Sequence, residues 1–158
     1  MSKTFETKKD RDYQARAVEL LIGDRDLRIV EHPPLAGVDD TLYDGSHPVA
    51  AVEVKGVRKV RSISDDHRPL VGVRKLVDAQ EFARQARIET LVFVWAYSDG
   101  IKYCTLQELR GEIYYGGRKP REGSANDLEL MFRDTHTKWN IKTFATCTKS
   151  VHLVTKRN

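Results

Sequence analysis

The chain has 158 residues, of which 40% are hydrophobic and 32% are charged. This length suits one domain with a sizeable core, and this composition is that of a globular protein rather than a disordered one. No apolar stretch is long enough to span a bilayer and the first residues lack a signal-peptide core, so we expect a cytoplasmic protein. The net charge of +4 is compatible with a polyanionic partner but does not require one.

Periodicity in the first two thirds of the chain predicts alternating helices and strands. Apolar residues recur at helical spacing in two segments, and the segments between them are rich in strand-forming residues bounded by turn residues. In chain order we predict a helix at 9–22, strands at 27–32, 39–43 and 49–55, a loop at 57–69, a helix at 72–87, and strands at 91–97 and 101–106. This order predicts an α/β sandwich around a mixed sheet.

The last third of the chain has weaker signals. We predict a strand at 112–115, a loop at 116–126, a short helix at 127–133, and strands at 141–147 and 151–154. The chain is therefore interpreted as a single domain over 1–158, with a core at about 9–106 and a β-rich C-terminal extension at 107–158. Cys104 and Cys147 fit no metal-ligand spacing, which favours two reduced, partly buried thiols.

One strand carries an unusual pair of charges. Glu53 and Lys55 are two residues apart in the predicted strand 49–55, so both side chains project from the same face of the sheet. The preceding strand returns through a short hairpin and begins with Asp39 and Asp40, which brings carboxylates next to Glu53. The hairpin therefore gathers carboxylates and an ammonium group at one end of the sheet.

Such a cluster suits the hydrolysis of phosphodiesters. Neighbouring carboxylates repel each other and are stabilised together by a hard divalent cation, and Mg²⁺ prefers oxygen ligands. We expect Asp39, Glu53 and the backbone carbonyl of Val54 to bind Mg²⁺, with Mn²⁺ as a substitute. The metal would activate a water molecule, and Lys55 would orient or deprotonate that water and stabilise developing charge.

The pattern Asp39 followed by Glu53-Val54-Lys55 closely resembles the PD-(D/E)XK nuclease superfamily, which includes restriction endonucleases and Holliday-junction resolvases. The offset of fourteen residues between Asp39 and Glu53, with a turn midway, is typical of that superfamily. The resemblance covers about residues 9–97 and implies a restriction-endonuclease-like αβββαβ core, a mixed central sheet flanked by helices. Val38 stands where the superfamily name has proline.

The sequence leaves open which aspartate of the doublet faces Glu53. A three-residue loop that pairs Asp44 with Pro48 would place Asp39 opposite Glu53, whereas a four-residue loop would place Asp40 there. The spacing favours Asp39. Asp12 and Glu19 on the first helix, together with Asp40, are candidate auxiliary acids, although the favoured interpretation of Asp12 and of Glu19, each taken singly, is an ordinary solvated helix residue.

Basic residues follow directly after the acidic strand. Arg58, Lys59 and Arg61 are candidates for contacts with phosphates that flank the cleaved bond, with a solvated loop as the alternative. The leading hypothesis is thus a Mg²⁺-dependent DNA endonuclease, either structure-selective like a junction resolvase or non-specific, working as a homodimer. A catalytically silent nucleic-acid-binding or inhibitory module on the same scaffold is the alternative, and an accidental Glu-X-Lys pair in an unrelated binding domain is a third hypothesis.

Overall fold

A mixed six-stranded sheet forms the centre of the computed structural model, which describes residues 8–33, 36–56, 61–65, 68–116 and 129–144. The strands are β1 (Arg28–Glu31), β2 (Asp40–Asp44), β3 (His47–Gly56), β5 (Leu91–Tyr97), β6 (Gly100–Thr105) and β9 (Asn140–Thr143), in the spatial order β1-β2-β3-β5-β6-β9. β3 and β5 are parallel and the other neighbours are antiparallel. β3 and β5 hold the centre because their apolar residues are buried on both faces.

One helix covers each face of this sheet. The first helix, α1 (Lys8–Ile22), buries the side chains of Ala17, Val18, Leu20, Leu21 and Ile22 against Val52 and Val54 of β3 and their neighbours. The second helix, α2 (Val73–Gln85), packs on the opposite face, where Ala79 and Ala83 join Ala51, Phe93 and Trp95. β3 therefore presents alternate side chains to two separate apolar cores.

A small antiparallel sheet lies beside α2. It contains β4 (Leu70–Gly72), β7 (Gly111–Gly116) and β8 (Glu129–Asp134), in the order β4-β8-β7. Phe132 of β8 joins the core on the α2 face. In the connection from β8 to β9, Asp134 accepts hydrogen bonds from Trp139 Nε1 at 3.0 Å and from the backbone N–H of Thr137 at 3.2 Å. The Trp139 ring packs edge-on against Trp95 of the core, with ring centroids 5.0 Å apart.

The predicted order of elements is confirmed through β6, and the core has the predicted αβββαβ order with the short strand β4 added. The predicted helix at 127–133 is wrong, because its described residues belong to strand β8. A segment this short gains little from helix formation alone, whereas pairing with strands on both sides satisfies its backbone. The strand predicted at 141–147 is confirmed only as far as Thr143, and the one predicted at 151–154 lies outside the described residues.

Two other features of the sequence can be located. Cys104 is a buried free thiol, and burial raises its pKa to about 12, whereas Cys147 lies outside the described residues. Among the helices that the structure describes, none combines the length and the apolar character needed to cross a membrane.

Candidate active site

The β2–β3 hairpin sets which acids face each other. Its turn has two residues, because Asp44 pairs with His47 and Gly45 adopts a φ of +60°, a conformation that glycine tolerates well. The predicted three-residue turn, with Asp44 opposite Pro48, is therefore wrong. A bulge between Leu42 and Tyr43 shifts the register by one residue, and beyond it Asp40 pairs with Val52. Continued by one residue, this register places Asp39 opposite Glu53, on the same face of the sheet.

Two contacts fix Asp39 just before β2 begins. Its backbone N–H donates to the carbonyl of Val52 at 3.1 Å, and its Oδ2 accepts the N–H of Val54 at 2.7 Å. The loop that leads to it lies tightly against α2: a Cβ on Gly37 would stand 2.8 Å from the carbonyl oxygen of Asp78. Glycine is required at this close approach. The loop thereby places the Asp39 carboxylate beside Glu53.

Glu53 is buried, with 7% of its surface exposed, and it faces α2. The Nζ of Lys75, in the first turn of α2, donates to Glu53 Oε1 at 3.3 Å. The Lys75 side chain is 59% exposed, so the ion pair joins a buried carboxylate to a cation that reaches in from the surface. Lys75 was not among the residues that the sequence predicted for the site. The one available signal was a first helical turn with basic residues and no acid.

Burial disfavours charge on both carboxylates, and repulsion from Asp39 adds to this effect at Glu53. Burial raises the pKa of Glu53 to about 7, and the charge of Asp39 contributes to this rise against the opposing effect of Lys75 and Lys55. Burial also raises the pKa of Asp39, although the N–H of Val54, the ammonium of Lys75 and a hydrogen bond with Glu53 oppose it. The pKa of Lys75 is raised overall, because Glu53, Asp39 and Asp78 outweigh the effect of its burial.

Lys55 lies on the same face of the sheet as Asp39 and Glu53. It follows Glu53 by two residues on β3, so it projects from the same face, and its charge lowers the pKa of Glu53. Its register partner on β5 is Trp95, which is fully buried. The structure thus brings Asp39, Glu53, Lys55 and Lys75 together on the α2 face of the sheet, and the catalytic roles of the first three stay predictions.

His32 holds the backbone of Asp39 in place. Its backbone N–H donates to the carbonyl of Asp39 at 2.8 Å, and its Nε2 hydrogen-bonds with Thr41 Oγ1 at 2.6 Å. The imidazole also packs edge-on against Phe82 of α2, with ring centroids 5.0 Å apart. These contacts connect the Asp39 loop to both β2 and α2, a supporting role that the sequence did not predict.

The candidate auxiliary acids lie elsewhere. Asp40 is buried opposite Val52, on the α1 face, and burial together with the charges of Asp39 and Glu31 raises its pKa to about 7. Asp12 and Glu19 are exposed on α1, which packs on that same face, away from Glu53. In the part of the chain that the structure describes, no three His, Cys, Asp or Glu side chains lie close enough to hold a metal together. An auxiliary role for these acids stays a prediction.

Of the three basic residues predicted to contact phosphates after β3, the structure describes Arg61. Arg58 and Lys59 lie outside the described residues. The backbone carbonyl of Arg61 accepts hydrogen bonds from the N–H of Ser98 at 3.0 Å and from its hydroxyl at 2.8 Å. Arg61 is therefore anchored at the carboxyl end of β5, the neighbour of the strand that carries Glu53 and Lys55.

The donor set fits a hard divalent cation. Mg²⁺ is commonly held by one or two carboxylates and keeps several water molecules, so two protein carboxylates suffice. Asp39 and Glu53 supply oxygen ligands on adjoining backbone, and their raised pKa values indicate that a cation between them would be stabilising. The backbone carbonyl of Val54 stays a predicted third ligand.

The fold and the pair formed by Asp39 with Glu53-Val54-Lys55 define the PD-(D/E)XK class. Residues 1–145 match the family model described as "Phage putative PDDEXK endonuclease", and the chain belongs to this family. The match extends well beyond the resemblance at 9–97 that the sequence suggested, so β7, β8 and β9 belong to the family pattern too.

Other comparisons add less. Among solved structures, the chain is similar to Hjc, a Holliday junction resolvase from the hyperthermophilic archaeon Archaeoglobus fulgidus, with a TM-score of 0.47 and 14% sequence identity. That match covers 78% of this chain and 84% of the resolvase chain. No curated protein sequence matches this chain significantly.

Proposed function

We propose that this protein is a Mg²⁺-dependent endonuclease that hydrolyses phosphodiester bonds in DNA. The observation that carries the proposal is the register that sets Asp39 opposite the buried Glu53, with Lys55 two residues further on the same face. A core strand normally avoids such charges, and membership of the endonuclease family supports the same chemistry.

The chain supplies three chemical roles. Asp39 and Glu53 would hold Mg²⁺ (or Mn²⁺), which when bound lowers the pKa of a water molecule and neutralises phosphate charge. Lys55 orients the attacking water and stabilises the negative charge that develops as water adds to phosphorus and the bond to the leaving oxygen breaks. Arg61, and Arg58 and Lys59 beside it in sequence, would contact flanking phosphates.

Cleavage of a nucleic-acid panel tests this proposal. The full chain is incubated with Mg²⁺, Mn²⁺ or EDTA and with one of five substrates: supercoiled plasmid, linear duplex, single strands, a four-way junction or RNA. Metal-dependent cleavage of DNA that is lost in Lys55→Ala is the expected result. Preference for the junction would identify a structure-selective enzyme, and equal cutting of all DNA a non-specific one. Sedimentation of the same samples tests the proposed homodimer.

Arg84→Ala is the matched control for Lys55→Ala. Arg84 is an exposed cation in the last turn of α2, paired with Glu81, nine residues from Lys75 and therefore roughly 13 Å away along the helix. Its removal should leave cleavage unchanged. Binding of DNA without cleavage under any metal condition would instead establish the catalytically silent module.

A further inference from the structure

A second lysine enters the candidate site from α2. Lys75 forms an ion pair with Glu53, with 3.3 Å between Nζ and Oε1, and its charge also acts on Asp39. Nothing in the PD-(D/E)XK pattern of this sequence requires it, because Lys55 already supplies the lysine of the acid-X-Lys triplet. The position of Lys75 therefore calls for its own explanation.

The two partners of the ion pair differ in exposure, and this difference favours replacement of Lys75 by another cation. Glu53 is 7% exposed and cannot gain much hydration by moving, whereas the Lys75 side chain is 59% exposed on a flexible stem. When a stronger cation reaches Glu53, Lys75 can return to water at little cost. A divalent ion held by both carboxylates would bring two positive charges to the place where the ammonium now compensates one negative charge.

We propose that Lys75 is a positioning residue that occupies Glu53 in the metal-free protein and is displaced from it when the divalent cation binds. The ammonium holds the Glu53 carboxylate beside Asp39 until the metal arrives, and it competes with the metal for Glu53 Oε1. Metal affinity is therefore set partly by α2, outside the β2–β3 hairpin that carries the ligands. This inference rests on the proposed metal site.

The neighbouring arginine offers a matched control. Arg74 lies in the same helical turn and carries the same charge, but its side chain is 88% exposed and faces Asp78, with 4.0 Å between Nε and Oδ2. Removal of Arg74 changes the charge near the site without touching Glu53. Methionine is a suitable replacement at both positions because it keeps the length of the stem and has a similar helix propensity.

The experiment is a titration of the full chain with Mg²⁺ or Mn²⁺ in the absence of nucleic acid, at about pH 8.5, where protons compete least for the carboxylates. Isothermal calorimetry gives the affinity, and circular dichroism verifies that each variant folds. We expect Lys75→Met to bind the metal roughly fivefold more tightly than the parent, as the loss of a competing part-exposed ion pair would allow. Arg74→Met should change affinity by less than about twofold because exposed charges are screened. Lys75→Arg, which keeps the competing cation, should remain close to the parent.

The outcomes separate the two proposals. Unchanged or weaker binding by Lys75→Met, with a parent that binds metal, overturns the exchange and leaves the metal site intact. Equal tightening by Lys75→Met and Arg74→Met also overturns it, because a general charge effect would then explain the change. A parent that binds neither ion overturns the metal site and the exchange together.

Discussion

Glu53→Gln should stabilise the metal-free protein while it removes the proposed metal site. The change replaces a buried carboxyl by a neutral group of the same size. In the folded chain the pKa of Glu53 rises from an ordinary 4.5 to about 7, mainly through burial. A carboxyl with a raised folded-state pKa binds a proton more tightly when folded than when unfolded. Its stabilising contribution is therefore present at low pH and is lost as the pH rises from about 4.5 through about 7.

The size of the effect follows from that rise. A change from 4.5 to about 7 corresponds to about 3 kcal/mol as an upper estimate, and the neutral amide of the Glu53→Gln variant would avoid this cost at about pH 8. Lys75 loses its partner, but it is 59% exposed and can be hydrated, so no buried charge is left behind. For a chain of this length about 3 kcal/mol raises the melting temperature by roughly 6–12 °C.

Urea and thermal denaturation in EDTA at about pH 5 and about pH 8 measure this difference. We expect Glu53→Gln to be more stable than the parent at the higher pH and nearly equal to it at the lower pH, where both side chains are neutral in the folded state. Addition of Mg²⁺ at the higher pH should raise the melting temperature of the parent and not that of the variant. A variant that is less stable than the parent at the higher pH, or a stability difference that does not change with pH, would refute the reasoning.

Three further variants test other parts of the structure. Asp40→Asn should stabilise the metal-free protein at about pH 8 by about 2–4 kcal/mol in urea denaturation, because a buried carboxylate is replaced by a neutral amide. Since Asp40 faces α1, the variant should retain the Mg²⁺-induced rise in melting temperature, and loss of that rise would contradict the placement of Asp40. Gly45→Ala should cost about 1 kcal/mol of unfolding free energy because φ is +60°, whereas Gly56→Ala should stay within about 0.5 kcal/mol; equal costs would argue against a strained turn. Trp139→Phe should cost about 2 kcal/mol in the same assay because the buried carboxylate of Asp134 loses a donor, and a change below about 0.5 kcal/mol would show that the bond is dispensable.

Elements with a strong local sequence pattern could be predicted from the sequence. The stripe of α1, the continuous apolar run of β5 and the alternation of Glu53 and Lys55 on β3 each satisfy one strong local rule. β8 could not be predicted in this way, because a six-residue segment takes its conformation from the partners that it finds in β4 and β7. Those partners are distant in sequence and carry no local signal.

The pairing of the two acids was predicted correctly from an incorrect hairpin. A regular three-residue turn and a two-residue turn with a bulge at Leu42/Tyr43 give the same pairing beyond the bulge, so the fourteen-residue spacing predicts Asp39 opposite Glu53 in both cases. Lys75 could not be predicted from sequence spacing, because its contact with Glu53 spans 22 residues and depends on how α2 docks. Periodicity gives the faces of an element and not its placement against another.

The close approach of Gly37 to α2 has a mechanical consequence. The loop that carries Asp39 and the helix that carries Lys75 meet at Asp78 and Phe82, so neither can shift without the other. We expect them to move as one rigid body, which keeps the distance between Asp39 and the helix constant. A substitution that displaces α2 at Asp78 or Phe82 would therefore displace the Asp39 carboxylate as well.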